Sequence, residues 1–345
     1  MNIRKANMSD GPGLTQLASQ VGMSGKIGLL ISRDPDFFSL LDRRGSYTVW
    51  IAEDDEGKII GSFSETKQFL FINGKKRRIS YLADLRVLPQ YQGGTLAFRL
   101  VNRMRDELIK EEVDLLYCTT AEGNRQVRDF FDGRMSIPLF RKLGTFMVRQ
   151  LIPAQHKSTN GSSLASDQEL HNFYESFYSN YKFHPPLDEF SHCIHFISRK
   201  GKEIEAAISV TDPSDLKQHV LVHYPFMVSV SLKLLRLAKA FMPLPSLPSK
   251  GKPLRILYAR YIGYKPGLET ELADLIGQVR NYAFKNNYHL ISIALDEKDK
   301  ALGDIISPKS RFLFRSDAWI ASLQRNYKLL EEISSGMLYE DYSLV

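Results

Sequence analysis

Asn73-Gly74 lies between two strand-like runs, Ile59 to Ile72 and Lys76 to Val87, and this arrangement limits the fold more than any other local feature of the chain. Both turn residues accept the positive φ that a type I′ turn needs, so the runs are expected as an antiparallel hairpin. Tyr47 to Glu53 alternates as a further strand and reaches Ile59 through the polar turn Asp54 to Lys58. The period then changes. After Gly93-Gly94, apolar residues at Leu96, Leu100, Val101, Met104 and Leu108 share one helix face, with Arg99, Arg103, Asp106 and Glu107 opposite. Asp114 to Thr120 follows as a short apolar strand, so strand, Gly-rich turn, helix and strand form a βαβ unit.

The same order recurs later in the chain. Leu254 to Tyr264 reads as a strand, Pro266-Gly267 as the turn, Leu272, Leu275, Ile276, Val279 and Ala283 as a helix face, and His289 to Leu295 as the next strand. A repeat with a period of one whole domain is a duplication of architecture and not a solenoid. At 345 residues the chain is long enough for two cores. The Ser-, Asn- and Gly-rich stretch 153–166 is expected to link a domain at 1–152 to one at 167–345, and PLPSLPSKGKP (243–253) is a second connection.

Composition narrows the function classes. The chain is 43% apolar and 25% charged, as in ordinary globular proteins, and its net charge of +7 suits an anionic partner: a nucleotide cofactor, nucleic acid or an acidic membrane. No apolar run approaches the roughly 20 residues of a spanning helix, and the first dozen residues lack a signal-like apolar segment. A cytoplasmic location is expected by default. Cys118 and Cys193 are too few for a disulfide framework and read as buried thiols. All eight histidines lie at or beyond His156, so the first half cannot assemble a Ser-His-Asp or Cys-His nucleophile alone.

A strand that runs through Gly93-Gly94 straight into a helix offers free backbone N–H groups at the positive end of the helix dipole, which suits a phosphate. The same pair also makes a tight connection with no ligand at all. Its surroundings decide. The run Tyr81-Leu-Ala-Asp-Leu-Arg-Val-Leu-Pro-Gln-Tyr-Gln-Gly-Gly-Thr-Leu-Ala97 resembles the acetyl-CoA motif of the GNAT (acyl-CoA N-acyltransferase) superfamily, in which Gln or Arg, two residues, Gly, one residue and Gly or Ala follow in order. Gln92 takes the first position and Ala97 the last, while Thr95 stands where the family has Gly. Asn2 to Ala6, with Leu14 and Leu17 beyond, looks like the family's opening strand and first helix.

This resemblance implies an α/β fold of the α+β type: a mixed, mostly antiparallel sheet flanked by helices, here as two GNAT-like domains in tandem. It implies acetyl-CoA as co-substrate, held by Gln92, Gly93, Gly94, Thr95, Leu96 and Ala97, by backbone groups near Leu85 and Val87 where the strand splays from its neighbour, and by Asn124. Direct transfer from the thioester to a small-molecule or peptide amine then needs a proton acceptor, an oxyanion site and a proton donor. Asp84 is the nearest carboxylate and is either that acceptor or a structurally paired strand carboxylate. Where the family places a Tyr acid, this chain has Phe131, which leaves Tyr81 and Tyr117 as substitutes from neighbouring strands.

Other features have plainer readings. Lys75 to Arg78 is expected as a solvated hairpin edge. His192, Cys193 and His195, with His184, fall short of four metal ligands, since His192 and Cys193 would point to opposite faces of a strand; no metal is expected. Phe226 to Met242 reads as an amphipathic helix, with Phe226, Val230, Leu234, Leu237 and Phe241 on one side and Lys233, Arg236 and Lys239 elsewhere. It is expected to pack between the domains, with a membrane-surface role or a lid over the acceptor pocket as the alternatives. Tyr264-Lys-Pro-Gly267 lacks the motif, so the second half is expected to hold no cofactor, and the ending Gly336 to Val345 reads as a final core strand. Two other functions stay open: an aminoacyl-tRNA-dependent transferase, which the motif argues against, and a non-catalytic CoA-binding sensor or scaffold. Monomer and homodimer are both compatible with two fused halves.

Overall fold

The computed structural model describes residues 1–21, 28–124, 127–157, 163–238 and 241–345. The first half contains β1 (Asn2–Lys5), α1 (Gly11–Gln20), β2 (Gly28–Ser32), α2 (Ser39–Arg44), β3 (Ser46–Glu53), β4 (Ile59–Ile72), β5 (Lys75–Val87), α3 (Leu96–Lys110), β6 (Leu115–Ala121), α4 (Arg128–Phe131) and β7 (Arg141–Leu151). The second half contains α5 (Asp167–Tyr178), β8 (Tyr181–His184), β9 (Ile194–Lys200), β10 (Glu203–Thr211), β11 (Gln218–His223), α6 (Phe226–Ala238), β12 (Pro253–Leu254) and β13 (Ile256–Tyr264). It continues with α7 (Glu269–Lys285), β14 (Leu290–Asp296), α8 (Lys300–Ile306), β15 (Ser310–Ser322), α9 (Tyr327–Ser334) and β16 (Met337–Leu338).

The β4–β5 hairpin turns on Asn73 at φ +50 and Gly74 at φ +72, the left-handed pair that the Asn-Gly signal demands. Its tip, Lys75 to Arg78, is exposed, as a charged edge should be. On α3 the expected five residues are the buried ones, packed on Ile60, Phe63, Leu82 and Leu116 of β4, β5 and β6. Each such side chain removed from water contributes about 1.5–3 kcal/mol.

The main sheet does not divide at the middle of the chain. Its strands run β1-β3-β4-β5-β6-β15-β7-β14-β13-β10-β9, and β8 links β4 to β16. Only β5–β6, β13–β14 and β8–β16 pair in parallel among the described strands, so the sheet is mixed and mostly antiparallel. Each half lends its last long strand to the other. β15 lies between β6 and β7, with Ala318 opposite Thr119 on one side and Gly144 on the other. β7 lies between β15 and β14, with Val148 opposite Phe314 and Ala294. One core accordingly draws Tyr81 and Tyr117 from the first half together with Ala318, Leu330 and Tyr342 from the second.

Three expectations need correction. The ending forms a strand only at Met337–Leu338. Beyond it, Asp341 accepts from the N–H and hydroxyl of Ser343, and its carbonyl accepts from Leu344 N–H, so the buried segment curls into a side-chain-capped turn. α6 does not pack between the halves: Phe226 is 79% exposed, Leu234 61%, Leu237 70% and Phe241 89%. Lys239 of that stretch lies outside the described residues, as do 158–162 of the expected linker. Cys193 is only half-buried, and the strand expected to carry it with His192 starts later, at Ile194.

Candidate active site

β5 carries a bulge where its polar groups concentrate. Ser62 pairs with Arg86 and Ser64 with Ala83, so β5 has one residue more than β4, and Asp84 takes φ +51. A side chain in this left-handed region costs about 1–2 kcal/mol, and the surroundings hold it there. The Asp84 carboxylate accepts from Arg33 Nη2 at 3.1 Å to both oxygens, from Ser64 Oγ at 3.1 Å and from Arg86 Nη2 at 3.4 Å, while Ser62 Oγ donates to the Asp84 carbonyl at 3.0 Å. Burial alone would raise the Asp84 pKa, yet the charges of Arg33, Arg86 and Arg44 outweigh it and hold the carboxyl at about 2. Arg33, almost wholly buried, is drawn down by desolvation to about 10 and remains a cation at neutral pH. Taking a proton from an acceptor amine would break this pair, so Asp84 is placed to orient the bulge more than to act as a base.

The sheet opens just before the bulge. β5 and β6 pair only at Ile79↔Leu115, Ser80↔Leu116 and Tyr81↔Tyr117, and β5 then continues through Val87 paired with β4 alone. Among the described residues the β6-facing backbone edge of Leu82 to Val87 has no strand partner, and Leu85 packs its side chain on the α3 core. Val87 ends the strand, and its carbonyl accepts from Gln92 Nε2 at 2.8 Å. The motif's first residue therefore folds back to fix the turn.

Gly93 has φ +82 and open space where a Cβ would stand, so its conformation is what requires glycine. Gly94 has an ordinary φ, and a Cβ there would meet only the Tyr91 carbonyl at 4.0 Å. Thr95 takes the cap position of α3 with no capping hydrogen bond from its side chain, and no acidic residue sits in the first turn, which includes Leu96 and Ala97. The N–H groups of that turn lack intrahelical acceptors by helix geometry, so they point, unmasked and at the positive dipole end, toward the exposed loop Gln92 to Thr95. Asn124 is exposed just after β6, and its N–H donates to the Ala121 carbonyl at 3.1 Å.

The two tyrosines lie at the fork. Tyr81 Oη bonds Thr119 Oγ1 at 3.0 Å, its ring meets Tyr117 edge-on at 5.6 Å, and Arg44 sits 4.3 Å over its face. Burial raises both phenols, Tyr117 well above its ordinary value, so each is protonated at neutral pH. Phe131 is buried, stacked on Trp319 of β15 at 4.5 Å and tilted against Phe140 at 5.0 Å. It is a core ring clamped by a strand from the other half.

Sequence reasoning missed Glu340. Its buried carboxyl lies beside Tyr117 and Arg44, and burial raises its pKa to about 7, with Asp341 adding to the rise and Arg44 opposing it. The adjacent Asp341 is paired instead with Arg260 at 2.8 Å. Two acidic residues inside the apolar ending Met337 to Tyr342 were the available signal. Arg33 and Arg44 were missed as well: Arg33 stands on the connection after β2 and Arg44 ends α2, and neither position has a periodic signature. Among the described residues no three His, Cys, Asp or Glu side chains gather as metal ligands: His184 bonds the Pro185 carbonyl and His195 bonds Ser209 Oγ.

Residues 27–135, which hold the strand fork, the bulge and the unmasked helix N-terminus, match the Acetyltransferase (GNAT) family. The match begins before β2 and ends past α4. Among solved structures, the chain is similar to Saccharomyces cerevisiae N-myristoyltransferase with bound myristoyl-CoA at TM-score 0.62 and 11% identity, over 93% of this chain and 78% of that one. A second structure of the yeast enzyme with bound myristoyl-CoA gives TM-score 0.62 and 12% identity over 92% and 82%. At such identity the likeness is one of fold. No curated protein sequence matches the chain.

Proposed function

We propose that the chain is an acyl-CoA N-acyltransferase that moves an acetyl group from acetyl-CoA to an amine. The observation that carries this reading is the β5–β6 fork beyond Tyr81↔Tyr117, an unpaired strand edge that leads to an unmasked helix N-terminus. The pantetheine arm lies along Leu85 and Val87, the pyrophosphate against Gly93, Gly94 and the first N–H groups of α3, and Asn124 borders the cofactor from β6. The amine nitrogen bonds to the thioester carbonyl carbon, the C–S bond breaks, one amine proton leaves and the thiolate takes up a proton. Glu340, near 7, suits the first proton and Tyr117, protonated beside it, the second, while Asp84 stays ionised and holds the bulge.

Thermal unfolding with added donor tests this directly. A ligand that binds only the folded state adds about 2.7 kcal/mol at 100 times its dissociation constant. Acetyl-CoA should raise the melting temperature and Gly93→Val should abolish the rise; no rise with acetyl-CoA or with myristoyl-CoA, the ligand of the yeast structures, overturns the reading. A rise with myristoyl-CoA alone reassigns the donor. A second reading, a CoA-binding protein without turnover, is favoured by Phe131, whose buried ring fills the place of the family's acid. Binding with no transfer to any amine in a panel would select it.

A further inference from the structure

α6 follows β11, the middle strand of a small separate sheet ordered β12-β11-β2, and its Phe226, Met227, Leu234, Leu235 and Leu237 side chains are exposed. Phe226, Leu234 and Leu237 recur with Val230 at helical spacing, so they form one stripe, and Phe241 extends it beyond the helix end. Large apolar side chains this exposed on one face mark a surface that something covers. Arg236 Nη2 donates to the Pro248 carbonyl at 2.6 Å and to Ser249 Oγ at 3.2 Å, which ties the helix to its Pro-rich return.

Charge tells what the cover is. From Phe226 to Lys252, the helix and its Pro-rich return, the chain has five Lys or Arg and no Asp or Glu, and Lys233 and Arg236 flank the stripe. A second copy of the chain docking through this helix would set these cations against their own counterparts, with no carboxylate from the segment to pair them. An anionic surface with an apolar interior satisfies both parts. No described helix is long and apolar enough to cross a membrane, and thirteen residues span about 20 Å against the roughly 30 Å of a bilayer core, so the helix would lie in the interface.

We propose that α6 and the Pro-rich return dock the protein on anionic lipid, with the Phe226–Leu237 stripe in the acyl boundary and Lys233 and Arg236 at the headgroups. This stands independently of acyl transfer. The test is flotation of the full chain with vesicles of phosphatidylcholine alone or with ~30% phosphatidylserine, where binding to the anionic vesicles should be at least roughly tenfold greater and should fall with salt. Leu234→Glu with Leu237→Glu should abolish binding, and Lys233→Glu with Arg236→Glu should remove the preference for phosphatidylserine. These side chains are exposed, so an unchanged melting temperature checks that each variant is folded. Failure of the wild-type chain to float with anionic vesicles overturns the proposal, as does binding that survives the double Leu change. A self-associating species that the Leu variant dissolves, without vesicle binding, assigns the face to a second copy instead.

Discussion

The two strand-turn-helix units begin alike and end differently. β5 passes through Gly93 at φ +82 into α3, and β13 passes through Gly267 at φ +83 into α7. At α3 the first turn carries no acid, whereas α7 opens with Glu269 and Glu271, and Glu269 Oε1 accepts from the Gly267 N–H at 3.2 Å. The second helix thus occupies its own anion position with its own carboxylate. The strand edges differ in the same way. Among the described residues β5 leaves Leu82 to Val87 without a partner on the β6 side. On β13, by contrast, Ile262 N–H donates to Tyr178 Oη at 3.3 Å and the Arg260 carbonyl accepts from Tyr339. Gly263 marks how closely aromatic rings crowd there, since a Cβ would stand 3.1 Å from Phe177 Cγ. A glycine turn before a helix becomes a ligand site only where the chain leaves its donors unoccupied.

The largest test of this contrast removes the charge that holds the β5 bulge. Asp84→Ala leaves Arg33 buried without its partner and should cost about 3–5 kcal/mol in urea unfolding; a cost below about 1 kcal/mol would mean that the bulge does not depend on the pair. The stabilisation belongs to a depressed carboxyl, so it is complete above the unfolded value of 3.8 and is lost as pH falls toward about 2.

Glu340 has the opposite sign. Its pKa rises from 4.5 to about 7 in the fold, so folding is favoured at low pH and loses stability as pH climbs through that window. Glu340→Gln should therefore be more stable than the wild-type chain by about 3 kcal/mol at pH 8 and equal to it at pH 4, read from denaturant midpoints. An equal difference at both pH values would deny the shifted carboxyl.

A smaller change copies one unit onto the other. Ala97→Glu puts a carboxylate in the first turn of α3, as α7 has, and should weaken acetyl-CoA binding by roughly tenfold to a hundredfold in calorimetry. Unchanged affinity would move the pyrophosphate elsewhere. The converse is smallest: Glu269→Gln should cost a few tenths of a kcal/mol of stability and confer no acetyl-CoA binding on the second half.

Local features were legible where local physics sets them. The Asn73-Gly74 hairpin, the five buried positions of α3 and the helix through Leu272 to Ala283 all follow from turn chemistry and period. β4 spans Ile59–Ile72 as its composition suggested. The strand exchange was not legible, because a sequence of elements does not record which strand completes which sheet. The Arg33–Asp84 pair joins residues 51 apart, and Glu340 meets Tyr117 only through the fold, so neither has a spacing to read. The helix at Phe226 was read correctly as amphipathic, but periodicity reports that a face is apolar and not what it meets.

The exchange of β7 and β15 also sets an order in time. Trp319 pairs with Cys118, and its indole N–H donates to Thr120 Oγ1 across 199 residues. At about 5–20 residues per second a ribosome needs roughly 10–40 s to make that intervening chain. Through that interval the β6 edge next to the strand fork stands without its permanent neighbour, and a bare strand edge invites pairing with any other chain. The interval before β15 is made is therefore one in which the newborn first half exposes this edge to mispairing.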